Sequence, residues 1–162
     1  MRNVHLSSLE DYKRELAKIA NAHSQNCLTT TGKWNPGQII GHLASWIEYG
    51  YEGYPTKKPT FLIRWYLRFG FRQMLKSGMR PGGRVPGTKT GTVGDDDIPF
   101  GIAYGRLTRA IERLSSGEKA VYEMPEFGPM SHEDFTELNL RHAELHLSFL
   151  QFSVPRLQPT SG

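Results

Sequence analysis

The chain of 162 residues is 38% hydrophobic, enough apolar material for one domain spanning 1–162 to bury a continuous core without disulfide or metal staples. Its single cysteine, Cys27, excludes an internal disulfide framework and a CxxC redox pair, and it suits a reducing, cytoplasmic compartment. The formal charge of +4 is local: residues 57–89 carry nine Lys or Arg and no acid, so the remainder is net acidic and a whole-protein nucleic-acid role is disfavoured despite a pI of 9.3.

The N-terminal stretch has charges at helical spacing and no secretory apolar core, so it is expected to belong to the mature protein. Ser8-Leu9-Glu10-Asp11 matches a capping box, and Leu9, Tyr12, Leu16, Ile19, Ala20 and His23 follow at three- to four-residue spacing, which predicts a first helix. Asn26 to Lys33 has no period and is expected to be a loop. Asn35-Pro36-Gly37-Gln38 then signals a second helix. Asn35 is its N-cap, Pro36 takes the first position, where a missing N–H costs nothing, and Gln38 can reach back. Its inward face runs through Ile39, His42 or Leu43, Trp46, Ile47 and Gly50, and Gly53 and Pro55 end it.

A further helix is expected from Phe61 to about Lys76, with Arg64, Arg68, Arg72 and Lys76 recurring along one stripe. The stretch Thr60 to Phe71 is the longest apolar one, but Arg64 and Arg68 break it far short of the ~20 residues a membrane span needs. A soluble protein follows. Ser77 to Gly94 holds six glycines and two prolines and predicts a long loop. Asp95-Asp96-Asp97 and Pro99 suit the positive end of the next helix, whose apolar face is Phe100, Tyr104, Leu107, Ile111 and Leu114, and Ser115-Ser116-Gly117 stops it. After a Pro- and Gly-rich loop, Ser131-His132-Glu133-Asp134 opens the last helix. This helix carries Phe135, Leu138, Asn139, His142, His146 and Phe149 or Leu150 on or near one face and ends before Pro155. No strand pattern appears. The expected class is all-α, four amphipathic helices in a bundle with a basic helix and loop in the crossover between the second and third.

His142 and His146 are four residues apart on one helix, so both imidazoles can reach one point. The pair alone equally describes a polar helix face. His42, on the inward side of the second helix, adds a third imidazole where that helix packs on the last, and three neutral imidazoles around a divalent ion leave a position open for water or substrate. All-imidazole ligation is compatible with zinc, nickel, iron or copper and does not by itself fix the ion; zinc or nickel is the expectation. Glu144 falls on the far side of the helix, so no carboxylate base is evident. Asn139 could orient a ligand, and Trp34 or Trp46 could wall a pocket, though a capped helix and ordinary core aromatics explain each as well. His23 lies on the apolar face of the first helix, within reach of the site only if that face turns to it. His5 and His132 sit near helix starts. Cys27 has no charged neighbour to make it a thiolate.

Trp34 to Ala44 (WNPGQIIGHLA) and Leu140 to Leu150 (LRHAELHLSFL) resemble the two signatures of the DinB-like superfamily, and in particular a branch that is a domain of unknown function. The resemblance covers nearly the whole chain. It implies an up-down-down-up four-helix bundle, a metal held by His42, His142 and His146, and a homodimer. It also implies chemistry like that of thiol-dependent S-transferases, a maleylpyruvate isomerase using a small thiol, or hydrolases, with a low-molecular-weight thiol as a second cofactor and a small molecule as substrate. The competing expectation is a non-catalytic binding protein. In it Arg64, Arg68, Arg72 and Lys76, interleaved with Trp65, Tyr66, Phe69 and Phe71, meet an anionic membrane surface or phosphates. The plainer reading of that segment is a helix covering the bundle with its charged side in water.

Overall fold

The structure, a computed structural model, describes residues 1–85, 88 and 91–153; Pro86, Gly87, Lys89 and Pro155, which entered the sequence reading, lie outside them. The described residues form five helices, α1 (Leu9–Ser24), α2 (Pro36–Glu52), α3 (Phe61–Ser77), α4 (Phe100–Ser115) and α5 (His132–Leu147), and two strands, β1 (Leu28–Thr30) and β2 (Leu150–Phe152). Three helix starts fall where their capping residues demand. The side chains of Ser8, Asn35 and Ser131 accept from Asp11, Gln38 and Asp134 backbone N–H groups, and at Asn35 the Gln38 side chain returns the bond to the Asn35 backbone. At α1 the return arm is displaced by one residue, because Asp11 accepts from Ser7 rather than from Ser8.

The main core is made where α2 lies along α4 and also meets α5, with α1 against α4 and α5. Tyr12, Leu16, Ile19, Ile40, Leu43, Ile47, Leu107, Ile111, Leu114 and Leu147 fill it, at the three- and four-residue spacings that place them on facing stripes. Backbones approach closely at Gly37, where a Cβ would collide with the Ile98 carbonyl in the segment that turns into α4. Because that obstacle is backbone and cannot rotate away, Gly37→Ala is expected to cost roughly 1–3 kcal/mol, the usual range for overpacking, read as a lowered denaturation midpoint at unchanged m-value.

Two features differ from the sequence reading. Residues 28–30 are not loop and Leu150 is not helical. Instead β1 and β2 pair antiparallel, Leu28 opposite Phe152 and Thr30 opposite Leu150. The helix α5 stops at Leu147, and Arg2 covers its end, its Nε donating to the Leu150 carbonyl and its Nη2 to that of Leu147. The second difference concerns α3. Its charged stripe is exposed at Arg68, Arg72 and Lys76, as expected, but is not free, because Arg68 donates to the carbonyls of Phe127 and Pro129 and Arg72 pairs with Asp134 at 2.6 Å. With Phe71 and Leu75 it packs inward on Met124 and Leu138, forming a second, smaller apolar cluster. No helix among the described residues is long and apolar enough to cross a membrane.

Candidate metal centre

The capping box at Asn35 fixes where α2 begins, and so turns residue 42 toward α5. His42 is 1% exposed, and its Nε2 lies 3.2 Å from Nε2 of His142. His146, one turn along α5, completes the group: one nitrogen from each of the three rings lies within 4.8 Å of the others. Tetrahedral ligation with metal–nitrogen bonds of ~2.0–2.1 Å sets ligand nitrogens about 3.3 Å apart, so the His42–His142 pair, at 3.2 Å, already has that spacing, and the third ring lies within 4.8 Å of both.

The protonation states match. Burial lowers the His42 pKa to about 4, with hydrogen bonds from the ring to the Val93 and Gly94 backbone opposing it. Burial, and then the nearness of His42, lowers His146 to about 3. His142 falls well below its ordinary value, through burial and then the two neighbouring rings. All three are therefore neutral at pH 7, the form in which a ring nitrogen offers a lone pair. The Val93 carbonyl, 3.0 Å from His42 Nδ1, accepts the proton there and leaves Nε2 as the free donor to a metal, an arrangement typical of ligating histidines. Trp34 stacks on His146 with centroids 5.6 Å apart and planes 9° from parallel, and Trp46 meets His142 edge-on at 5.2 Å. Both indoles restrict the rings.

The three histidines open onto a cavity of about 610 Å³, the size of a small-molecule site, walled by Trp34, Trp46, Met74, Met124, Leu138 and Phe127, with Arg80 and Arg84 also lining it. Asn139 lines it too, its amide nitrogen donating to the Phe135 carbonyl. The sequence reading missed Glu126. This carboxyl is 7% exposed and lines the same cavity, and its Oε2 has no hydrogen-bond partner among the described residues. Burial pushes its pKa up. Nearby, Trp46 Nε1 and the Tyr54 hydroxyl are also buried without partners among the described residues, and the Glu126 charge adds to the burial that raises the Tyr54 pKa. An unpaired buried polar atom is costly, and Glu126 Oε2 and Trp46 Nε1 both belong to residues of the cavity wall, where a polar group of a ligand or water would answer them. No local signal announces Glu126, which sits in an aperiodic loop between a proline and a glycine.

The remaining candidates separate from the site. Glu144 accepts from the Leu6 backbone and from Arg141 and pairs with His5, and so holds the N-terminal segment onto α5. His23 stacks on Phe100 at 3.9 Å. Buried Cys27 points its thiol at the Gln25 carbonyl.

Fold and site together define a mostly helical protein with a three-histidine cluster beside an apolar cavity. The chain belongs to the family described as "Protein of unknown function (DUF1569)", whose model matches residues 1–153. No curated protein and no solved structure matches it.

Proposed function

We propose that this chain is a metal-dependent enzyme acting on a small molecule held in the cavity, with one divalent ion bound by His42, His142 and His146. The observation that carries the reading is the convergence of three neutral imidazoles from two helices beside a cavity lined by a buried carboxyl, Glu126, whose Oε2 has no partner among the described residues. The likeness of Trp34 to Ala44 and Leu140 to Leu150 to the DinB-like signatures supports it. So does the packing of α1, α2, α4 and α5 around one core, with α3 on a separate smaller cluster. Zinc or nickel suits the all-nitrogen donor set, with iron or copper next.

A divalent ion held by His42, His142 and His146 would supply Lewis acidity toward a substrate oxygen or a small thiol. The protein's own groups do the rest. Val93 fixes the His42 tautomer, the indoles hold the rings and exclude water, and the apolar wall takes the substrate's body. Glu126, its carboxyl made easier to protonate by burial, carries the proton. Thiol transfer ranks above hydrolysis, because the likeness to thiol-using enzymes favours it.

The test is turnover by zinc- or nickel-loaded protein of small thiols with electrophiles, and then of simple esters and amides. Activity that requires the ion establishes the reading, and tightly held ion with no turnover on any of them counts against catalysis. Glu126→Gln is expected to keep the metal at full stoichiometry while lowering kcat by about 10²–10⁴-fold, the usual contribution of a positioned acid or base. Unchanged kcat in that variant would assign the proton transfer elsewhere.

A further inference from the structure

We propose that α3 docks the protein onto an anionic lipid bilayer surface, lying in the interface with its outer face down. Phe61, Leu62, Trp65, Tyr66 and Phe69 are 77%, 75%, 64%, 71% and 83% exposed. Positions 62, 65, 66 and 69 fall on one side of the helix, so they form a single patch, opposite the side where Phe71 and Leu75 are buried. A helix that covered the fold in the ordinary way would turn these rings inward and its arginines outward. Here Arg68 and Arg72, exposed themselves, reach to residues 127–134, and the aromatic face is left in water as well. A contiguous exposed apolar patch of this kind marks an interaction surface.

Charge selects the occupant. Residues 57–89 contain no acid, and Lys76 on the patch side of α3 and Lys57 just before the helix are exposed and in no ion pair among the described residues. Such a surface complements anionic headgroups, while Trp65 and Tyr66 have the amphipathic rings favoured at the level of those headgroups. A second copy is disfavoured by the same charges. In a two-fold contact through this face each basic segment would meet its own like, with no carboxylate to answer it. The mode is peripheral, since the 17-residue helix α3 is interrupted by arginines and is not long and apolar enough to cross. The proposal rests on α3 and its charges and is independent of any metal.

The experiment is co-sedimentation of the full chain with vesicles of phosphatidylcholine alone and with a quarter phosphatidylglycerol, at low and at moderate salt. Binding is expected to the anionic vesicles only, and to fall steeply as salt shortens the screening length. Lys57→Gln with Lys76→Gln should weaken it about thirtyfold, from roughly fivefold per basic residue at an anionic surface. Trp65→Ser with Phe69→Ser should weaken it at least about tenfold, since burial of apolar area provides the rest. Both pairs are exposed, and an unchanged circular dichroism spectrum verifies that each variant folds. The proposal is overturned by equal binding to neutral vesicles, by no binding to either, or by binding that survives both double substitutions. It is also overturned if the protein free of lipid is a dimer that Trp65→Ser with Phe69→Ser converts to monomer, for then the face belongs to a second copy.

Discussion

His142→Ala is expected to leave the purified protein without stoichiometric metal and to weaken its affinity for added zinc or nickel more than about a hundredfold. Losing a group that merely orients a ligand already costs 10–100-fold, and His142 is a ligand in this reading. His42→Ala should do the same, although residues 42 and 142 are 100 apart in sequence, because the two Nε2 atoms face each other at 3.2 Å. His23→Ala, whose ring stacks on Phe100, should keep the metal and serves as the matched control. Elemental analysis of freshly purified protein, followed by titration against a competing chelator, reads all three. Full metal in both His142→Ala and His42→Ala would remove the metal centre from the account.

The second large effect is acid sensitivity of the metal-free protein. In the unfolded chain each imidazole takes a proton near its model value of 6.5, whereas in the fold His42 resists until about pH 4 and His146 until about pH 3, with His142 also well below 6.5. Between those limits the unfolded state binds more protons, so stability is full above about pH 6.5 and declines as pH falls through the window toward 4. Each fully mismatched imidazole contributes up to about 1.4 kcal/mol per pH unit, so the three together approach about 4 kcal/mol per unit, comparable with the stability of a marginal domain. Urea denaturation at stepped pH should show the slope, and His142→Ala should reduce it by about one third. Bound metal should hold stability up to lower pH, since only deprotonated rings ligate. A flat profile from pH 7 to 5 would mean that the rings are solvated rather than buried together.

Local chemistry made much of this legible beforehand. The capping residues Ser8, Asn35 and Ser131 are short polar side chains whose bonds are made within three residues, so α1, α2 and α5 begin where those letters stand. Four-residue spacing likewise placed His142 and His146 on one side of α5, and the Asn35-Pro36-Gly37-Gln38 start turned His42 inward. What stayed hidden depends on distant partners. Strands of three residues carry too little alternation to be recognised, and Leu150 continues the helical spacing of α5 until pairing with Thr30 draws it away. The anchoring of exposed Arg68 needs the carbonyls of Phe127 and Pro129, which only the folded chain supplies. Glu126 becomes a candidate only because the packing around it excludes water, and the Val93 carbonyl beneath His42 belongs to a glycine-rich stretch with no pattern.

The span between His42 and His142 gives the centre a mechanical meaning apart from any reaction. An ion gripped at once by α2 and α5 is a crosslink that closes a loop of 100 residues, and tying off a long loop withdraws more freedom from the unfolded chain than tying off a short one. The ion would therefore act as a rivet through the fold, entering late, once the two helices have met, and slowing their separation afterwards.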